Sequence, residues 1–299
     1  MKALNWITNR HVLSALCAVP LLLSSAFASA EDAAPVVAAA AAPAPAYTLT
    51  YNLGMYSDYI FRGNSYSNGP ALQGGIDWAH SSGFYLGTWF SNLDPDLYRD
   101  TGAGVATSKG NHLETDFYAG YAHTFENGFG INVLGNYYAY LEGRKQYTTT
   151  GFGGHKADSF EASVALSYKW LTYTYYNVIT DWYGLNKTDS GGNILGNRDT
   201  KNSDYHELKV NYTLPIADLN FMAKVGRQTT TNLNGDQSDF AIGLNRNFSL
   251  PGAGKPTEGF NAGAIYSDTF NVKSQAYYTD VNGQAYNGKH LMFFVKRSW

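Results

Sequence analysis

Residues 47–61 set an alternation that recurs to the end of the chain. The odd positions Tyr47, Leu49, Tyr51, Leu53, Met55, Tyr59 and Phe61 are apolar or aromatic, with Ser57 as the exception. The even positions, Thr48, Thr50, Asn52, Gly54 and Asp58 among them, are mostly polar or small. Side chains of a strand point to alternate faces, so a period of two predicts a strand with one apolar face. No helical period fits, and the run is long for a soluble strand.

The pattern repeats. Leu72, Gly74, Ile76 and Trp78 mark a second strand, and Phe84, Leu86, Thr88 and Phe90 a third, in which both faces are apolar. A fourth sets Leu113, Thr115, Phe117, Ala119 and Tyr121 against Glu114, Asp116, Tyr118 and Gly120. The fifth alternates about Phe129, Ile131 and Val133, and the sixth about Phe160, Ala162, Val164 and Leu166. Residues 171–183 form a Tyr-rich seventh whose register the pattern leaves open. Three more follow about Leu208 and Val210, Phe221 and Val225, and Phe240 and Ile242. Residues 260–267 carry the weakest signal, and residues 290–299 end the series with Leu291, Phe293, Val295, Arg297 and Trp299 on one face.

The connections sort by length. Residues 80–83, 126–128, the neighbourhood of Lys169 and residues 215–218 are short links, and residues 249–258 are of middling length. Residues 94–111, 142–157, 184–202 and 269–289 are long and polar, and the links after the first and ninth strands are intermediate. Short turns alternating with long loops are the signature of an outer-membrane barrel. The expected fold is all-β: one antiparallel transmembrane β-barrel of about twelve strands, an even number that returns both termini to the periplasmic side.

Composition agrees. Aromatic and charged residues each make up 15%, with 24 Tyr and 31 Gly, a balance that suits strands meeting both lipid and water. Lys2, Arg10 and His11 precede an apolar run at 12–27 and the small-x-small site Ala28-Ser29-Ala30, so residues 1–30 read as a cleaved bacterial signal peptide. Cys17, the one cysteine, lies inside that segment, which removes disulfides and Cys-ligated metals from the mature chain. Residues 31–46, rich in Ala and Pro, read as a periplasmic tether, and residues 47–299 as the barrel. The formal net charge of −3 and the lack of a basic patch exclude nucleic acid as a partner. No later segment is apolar for as long as a membrane helix needs.

The motifs SDYIFRG at 57–63, PALQGGIDW at 70–78, GFYLGTW at 83–89 and SNLD at 91–94, echoed by LETDFYAGY at 113–121, resemble the opening of the TorF family of porins of proteobacteria. That resemblance implies an outer-membrane channel and brings no catalytic residues with it. The chain ends on Trp299 where outer-membrane chains usually end on Phe. Phe293, Val295 and Trp299 are therefore the expected assembly signal, read by a barrel-assembly machinery.

The expected function is passive diffusion of small hydrophilic solutes across the bacterial outer membrane, with lipid and lipopolysaccharide as surroundings. The alternative is a closed or plugged barrel with a structural or adhesion role through its outer loops. No histidine pair has metal spacing, no nucleophile turn stands out, and no cofactor, metal or enzymatic activity is expected. The expected pore-lining residues are Asp58, Arg62, Asp77, Glu114, Asp116, Tyr118, Glu161, Glu207, Lys209, Lys224 and Asp239. Threaded through alternating strand directions, Asp58, Glu114, Asp116, Glu161, Glu207 and Asp239 fall in the outer half of the lumen. Arg62 falls at the outer rim, Lys209 and Lys224 near the middle, and Lys169 and Lys296 near the periplasmic end. Carboxylate rings concentrate cations, so a weak cation preference is expected, unless the charges pair off. Inward Tyr56, Tyr118, Tyr138 and Tyr140 either line a path or fill a narrow lumen. The oligomeric state and the openness of the pore are left open by the sequence.

Overall fold

The computed structural model describes residues 46–94, 111–141, 157–184, 200–252, 257–279 and 283–299. The expected signal peptide, nearly all of the tether and most of the three long loops at 94–111, 142–157 and 184–202 lie outside the described residues. The chain runs through β1 (Tyr47–Tyr56), two short strands β2 (Ile60–Phe61) and β3 (Asn64–Ser65), then β4 (Ala71–His80), β5 (Phe84–Asn92), β6 (Leu113–Thr124) and β7 (Phe129–Ala139). It continues with β8 (Ser159–Tyr168), β9 (Leu171–Val178), β10 (Asp204–Thr213), β11 (Leu219–Thr229), β12 (Gln237–Leu250), β13 (Thr257–Phe270) and β14 (His290–Ser298).

All the strands except β2 and β3 form one antiparallel, closed barrel in sequence order, and β1 closes it by pairing with β14 on one side and β4 on the other. The expected twelve-stranded transmembrane barrel is the observed fold. Closure satisfies the backbone of every strand without a free edge, as a lipid environment demands. At the seam the Tyr51 and Trp299 backbones exchange hydrogen bonds of 2.9 and 3.0 Å.

The alternation read from the sequence sorts the side chains. Leu49, Leu53, Ile76, Leu86, Phe117, Val133, Val164, Leu208, Val225, Ile242, Leu291 and Phe293 are large apolar residues exposed on the outer wall. Gln73, Asn132, Ser163, Glu207, Asn220, Lys224 and Asn261 are polar and buried within. The third strand's apolar face is the one on Phe84 and Leu86, and the open seventh settles with Tyr173 and Tyr175 outward. An aromatic girdle crowds the short-turn end, where Tyr47, Phe84, Tyr121, Phe125, Phe129, Tyr168, Trp170, Tyr212 and Trp299 are exposed. Such a belt marks a membrane–water interface. Gly83 and Gly128 make the tight turns there with φ of 101° and 81°, a region that costs other residues more.

Three sequence expectations need correction. The first strand does not run through residue 61. It stops at Tyr56, because Ser57 caps the pairing with Phe293 through its backbone N–H at 2.8 Å and its Oγ at 2.9 Å. Tyr59 and Phe61 keep the odd-position alternation, but they serve a different packing. Second, the seventh strand ends at Val178, and Trp182 and Tyr183 belong to a buried 3-10 turn, Trp182–Gly184. Third, the weakest predicted strand is the 14-residue β13, whose outward Ala262 and Ala264 and inward Gly263 dilute its apolar signal.

Candidate functional site

Residues 57–70 leave the wall at the long-loop end and fold into the barrel mouth. Their middle forms the β2–β3 hairpin, held to the far loop by Ser65 N–H on the Tyr286 carbonyl at 2.6 Å and by a bridge between Asn64 and Asn287. Tyr59, Ile60, Phe61 and Arg62 are all at most 4% exposed, so the hairpin is packed on every side. Its rings join Trp89, Tyr138, Tyr140, Trp182 and Tyr183 in one buried aromatic cluster.

Arg62, expected at the outer rim, is instead buried inside the lumen. Its Nη2 donates to both oxygens of Glu161 on β8, at 3.0 and 2.8 Å. Its guanidinium carbon lies 4.2 Å from the centre of the Tyr205 ring and 5.1 Å from that of Tyr176. Arg62 and Gly63 both take left-handed φ, 50° and 78°, which bends the hairpin tip toward this pocket. The Arg62 carbonyl accepts from Gln237 Nε2 at 3.0 Å.

The other expected pore-lining groups also face inward, and most of them meet partners. Glu114 accepts from the hydroxyls of Tyr59 and Tyr140, both at 2.8 Å. Asp116 accepts from Asn136 Nδ2 at 2.9 Å. Lys224 lies 3.2 Å from both Glu207 and Asp239, and Asp239 also takes the Tyr205 hydroxyl at 2.8 Å. Lys209 stands beside Lys224 in register on β10 and β11. Asp77 accepts from the hydroxyl of Tyr118. Asp58 sits at the root of the inserted segment, hydrogen-bonded by Ser65 and Ser67 and 3.8 Å from His290. Burial pushes its carboxyl above the usual range. Of the outer carboxylates, Glu161 meets Arg62, and Glu207 and Asp239 share Lys224, whereas Glu114 and Asp116 accept from neutral hydroxyl and amide groups. Phe293, Val295 and Trp299 lie exposed on the lipid face.

One repeated arrangement was not visible in the sequence. Tyr118 of β6 lies over Gly87 of β5 and reaches Asp77 of β4. Tyr85 of β5 lies over Gly120 of β6 and donates to Asn132 of β7 at 2.8 Å. Tyr205 of β10 lies over Gly226 of β11 and reaches Asp239 of β12. In each case a glycine with no side chain lets the phenol run along the wall to the strand beyond.

The profile of a family described as a bacterial protein of unknown function, Gcw_chp, matches residues 40–299. The chain belongs to the Gcw_chp family. No curated protein matches this Gcw_chp chain. Among solved structures it is similar to the NanC porin, at 10% identity and a TM-score of 0.47, over 84% of this chain and 99% of that one. It is also similar to the KdgM porin, at 8% identity and 0.45, over 84% and 98%. For OmpF of Salmonella typhi in complex with daunomycin the figures are 8% and 0.39, over 85% and 97%. The family found is Gcw_chp, and the TorF porins remain a resemblance of the opening strands.

Proposed function

We propose that this Gcw_chp member is an outer-membrane channel through which small hydrophilic solutes and ions diffuse passively, with a weak preference for cations. The observation that carries the reading is the threefold Tyr-over-Gly arrangement. A barrel meant to be filled would point its large side chains across the interior. Here Tyr85 and Tyr118, both half-buried, are laid along the wall instead, and Tyr205 lies the same way beneath the inserted Arg62. The lining around them is polar, with Gln73, Asn132, Ser163, Asn220 and Asn261 on the inner face. Residues 57–70 would then act as the constriction at the outer end. The lining carries more carboxylates (Asp58, Asp77, Glu114, Asp116, Glu161, Glu207 and Asp239) than bases (Arg62, Lys209, Lys224 and Lys296), which supports the cation preference.

The packed hairpin favours a second reading, in which the barrel is plugged and serves a structural or adhesive role. Single-channel recording in a planar bilayer separates the two. Steady ohmic steps are expected of the channel, and silence at high protein concentration would favour the plug. A lipid or ester hydrolase assay addresses enzymatic activity, for which no residues are proposed. Export by a cleaved signal peptide, contact with lipopolysaccharide and recognition of Phe293, Val295 and Trp299 by an assembly machinery belong to the same proposal.

A further inference from the structure

Apart from Phe61, whose ring centre lies 4.8 Å from the guanidinium carbon, the Arg62 pocket is built by the wall and not by the segment that fills it. Glu161 on β8, Tyr138 on β7, Tyr176 on β9, Trp182 in the 3-10 turn and Tyr205 on β10 all come from outside residues 57–70. Glu161 is 3% exposed and is oriented by the Tyr138 hydroxyl at 3.1 Å. The rings of Tyr176, Trp182 and Tyr205 have their centres 5.1, 5.8 and 4.2 Å from the guanidinium carbon. A buried carboxylate flanked by the faces of aromatic rings is a receptor for an organic cation. The neighbouring base, Lys224, lies 3.2 Å from both Glu207 and Asp239.

The way Arg62 occupies the pocket limits what the pocket demands. Only Nη2 bonds Glu161, and it bonds both oxygens. Nη1 is buried with no hydrogen-bond partner among the described residues. The pocket therefore reads a single N–H-bearing positive head and makes no use of the forked geometry special to guanidinium. An alkylammonium meets the same demands. The occupant, meanwhile, arrives on a separately folded segment with left-handed φ at its tip. Ordinary wall-to-wall ion pairing would need neither the inserted segment nor that bend.

We infer that Glu161 and the surrounding rings form a binding site for organic monocations, alkylammonium or guanidinium, and that Arg62 is a tethered occupant which such a solute replaces. The inference rests on the channel reading only in naming its solute class, because binding is read without conduction. The experiment uses the full barrel folded in detergent, titrated by calorimetry with methylguanidinium and with n-butylammonium, and with sodium as control. Arg62→Ala is expected to bind both organic cations saturably. Arg62→Ala combined with Glu161→Gln should bind them about tenfold more weakly or not at all, and sodium should give no saturable heat in either. Equal binding by the single and double variants, or none by the single, overturns the site. If Arg62→Ala does not fold, Arg62→Gln is read the same way. If neither folds, recovery of the SDS-resistant barrel when methylguanidinium is present during refolding supports the inference, and no recovery overturns it. Silence in a bilayer alongside saturable binding would remove the channel reading and leave the site standing.

Discussion

Tyr118 lies flat over Gly87 and donates its hydroxyl to Asp77, so that one side chain ties three adjacent strands together. Asp77, Gly87 and Tyr118 stand directly in register, and a Cβ at Gly87 would come within 2.6 to 2.7 Å of the phenol ring. Gly87→Ala should therefore lift the ring off the wall. The expected cost is about 1–3 kcal/mol, as for other overpacking changes, measured by unfolding titration in detergent. Conductance should fall as well, because the displaced phenol swings into the lumen. Gly87→Ala combined with Tyr118→Ser should recover conductance but not the lost hydrogen bond. An unchanged conductance in Gly87→Ala would mean that the ring has room elsewhere.

The lipid-facing register makes a prediction that depends on depth. Val164 and Val133 face each other across β7 and β8, both exposed on the outer wall in mid-strand. Arginine at either should destabilise the barrel by about 2–4 kcal/mol, whereas Tyr168→Arg, in the girdle near the turn, should cost about 0–1 kcal/mol. Inward Ser163 and Asn132 are expected from alternation alone to accept arginine. At 4% and 1% exposure they are too closely packed for it, and Asn132 is already engaged by Tyr85. Unfolding titrations in lipid that rank Tyr168→Arg as the worst would place the bilayer at a different height.

The fold was legible because two independent periodicities agreed: side chains alternating by two, and links alternating between short and long. Both are local, so the pattern around Val133 or Ile242 carried them without knowledge of a partner strand. The inserted hairpin was not legible for the same reason. Tyr59 and Phe61 extend the odd-position series of β1, although they pack inside the mouth against Tyr66 and Tyr138. The turn-forming Arg62-Gly63 and Asn68-Gly69-Pro70 were the contrary signals. The inward orientation of Glu161 could be read from its strand, but its pairing with Arg62, 99 positions away, needed the fold. The Tyr-over-Gly contacts likewise depend on a register between strands that no single strand encodes.

Asp236 gives a pH dependence with a definite sign. It lies in the outer turn between β11 and β12. Burial pushes its carboxyl up, but hydrogen bonds from the Thr230 N–H at 2.9 Å and hydroxyl at 3.1 Å, with Lys273 Nζ at 3.4 Å, outweigh this and hold it below the usual range. A carboxylate depressed in the folded state stabilises fully above its unfolded pKa and loses that contribution as pH falls through the folded value. The stability difference between wild type and Asp236→Asn should therefore be constant above about pH 5 and shrink as pH falls toward 3. Denaturant midpoints at a series of pH values measure it. A difference that grows on acidification would reverse the sign.

The charge pairing in the lumen bears on selectivity through Lys224. Its ammonium is the shared partner of Glu207 and Asp239, each at 3.2 Å, and it is buried. Lys224→Met removes one positive charge and leaves Glu207 and Asp239 without the cation they share. Losing one partner of a buried charge cluster costs about 3–5 kcal/mol, and the barrel should weaken by that order in a denaturant titration. In a salt gradient the reversal potential should move toward cations. Asp77→Asn should move it the other way, since among the described residues Asp77 carries a lining charge matched by a neutral hydroxyl from Tyr118. Glu161→Gln is a poor choice for the same test, because it strands the buried Arg62 and confounds selectivity with folding. Opposite shifts from Lys224→Met and Asp77→Asn would tie selectivity to the inner-wall charges. A wild type that prefers anions, or a reversal potential indifferent to both substitutions, would remove the cation preference from the account.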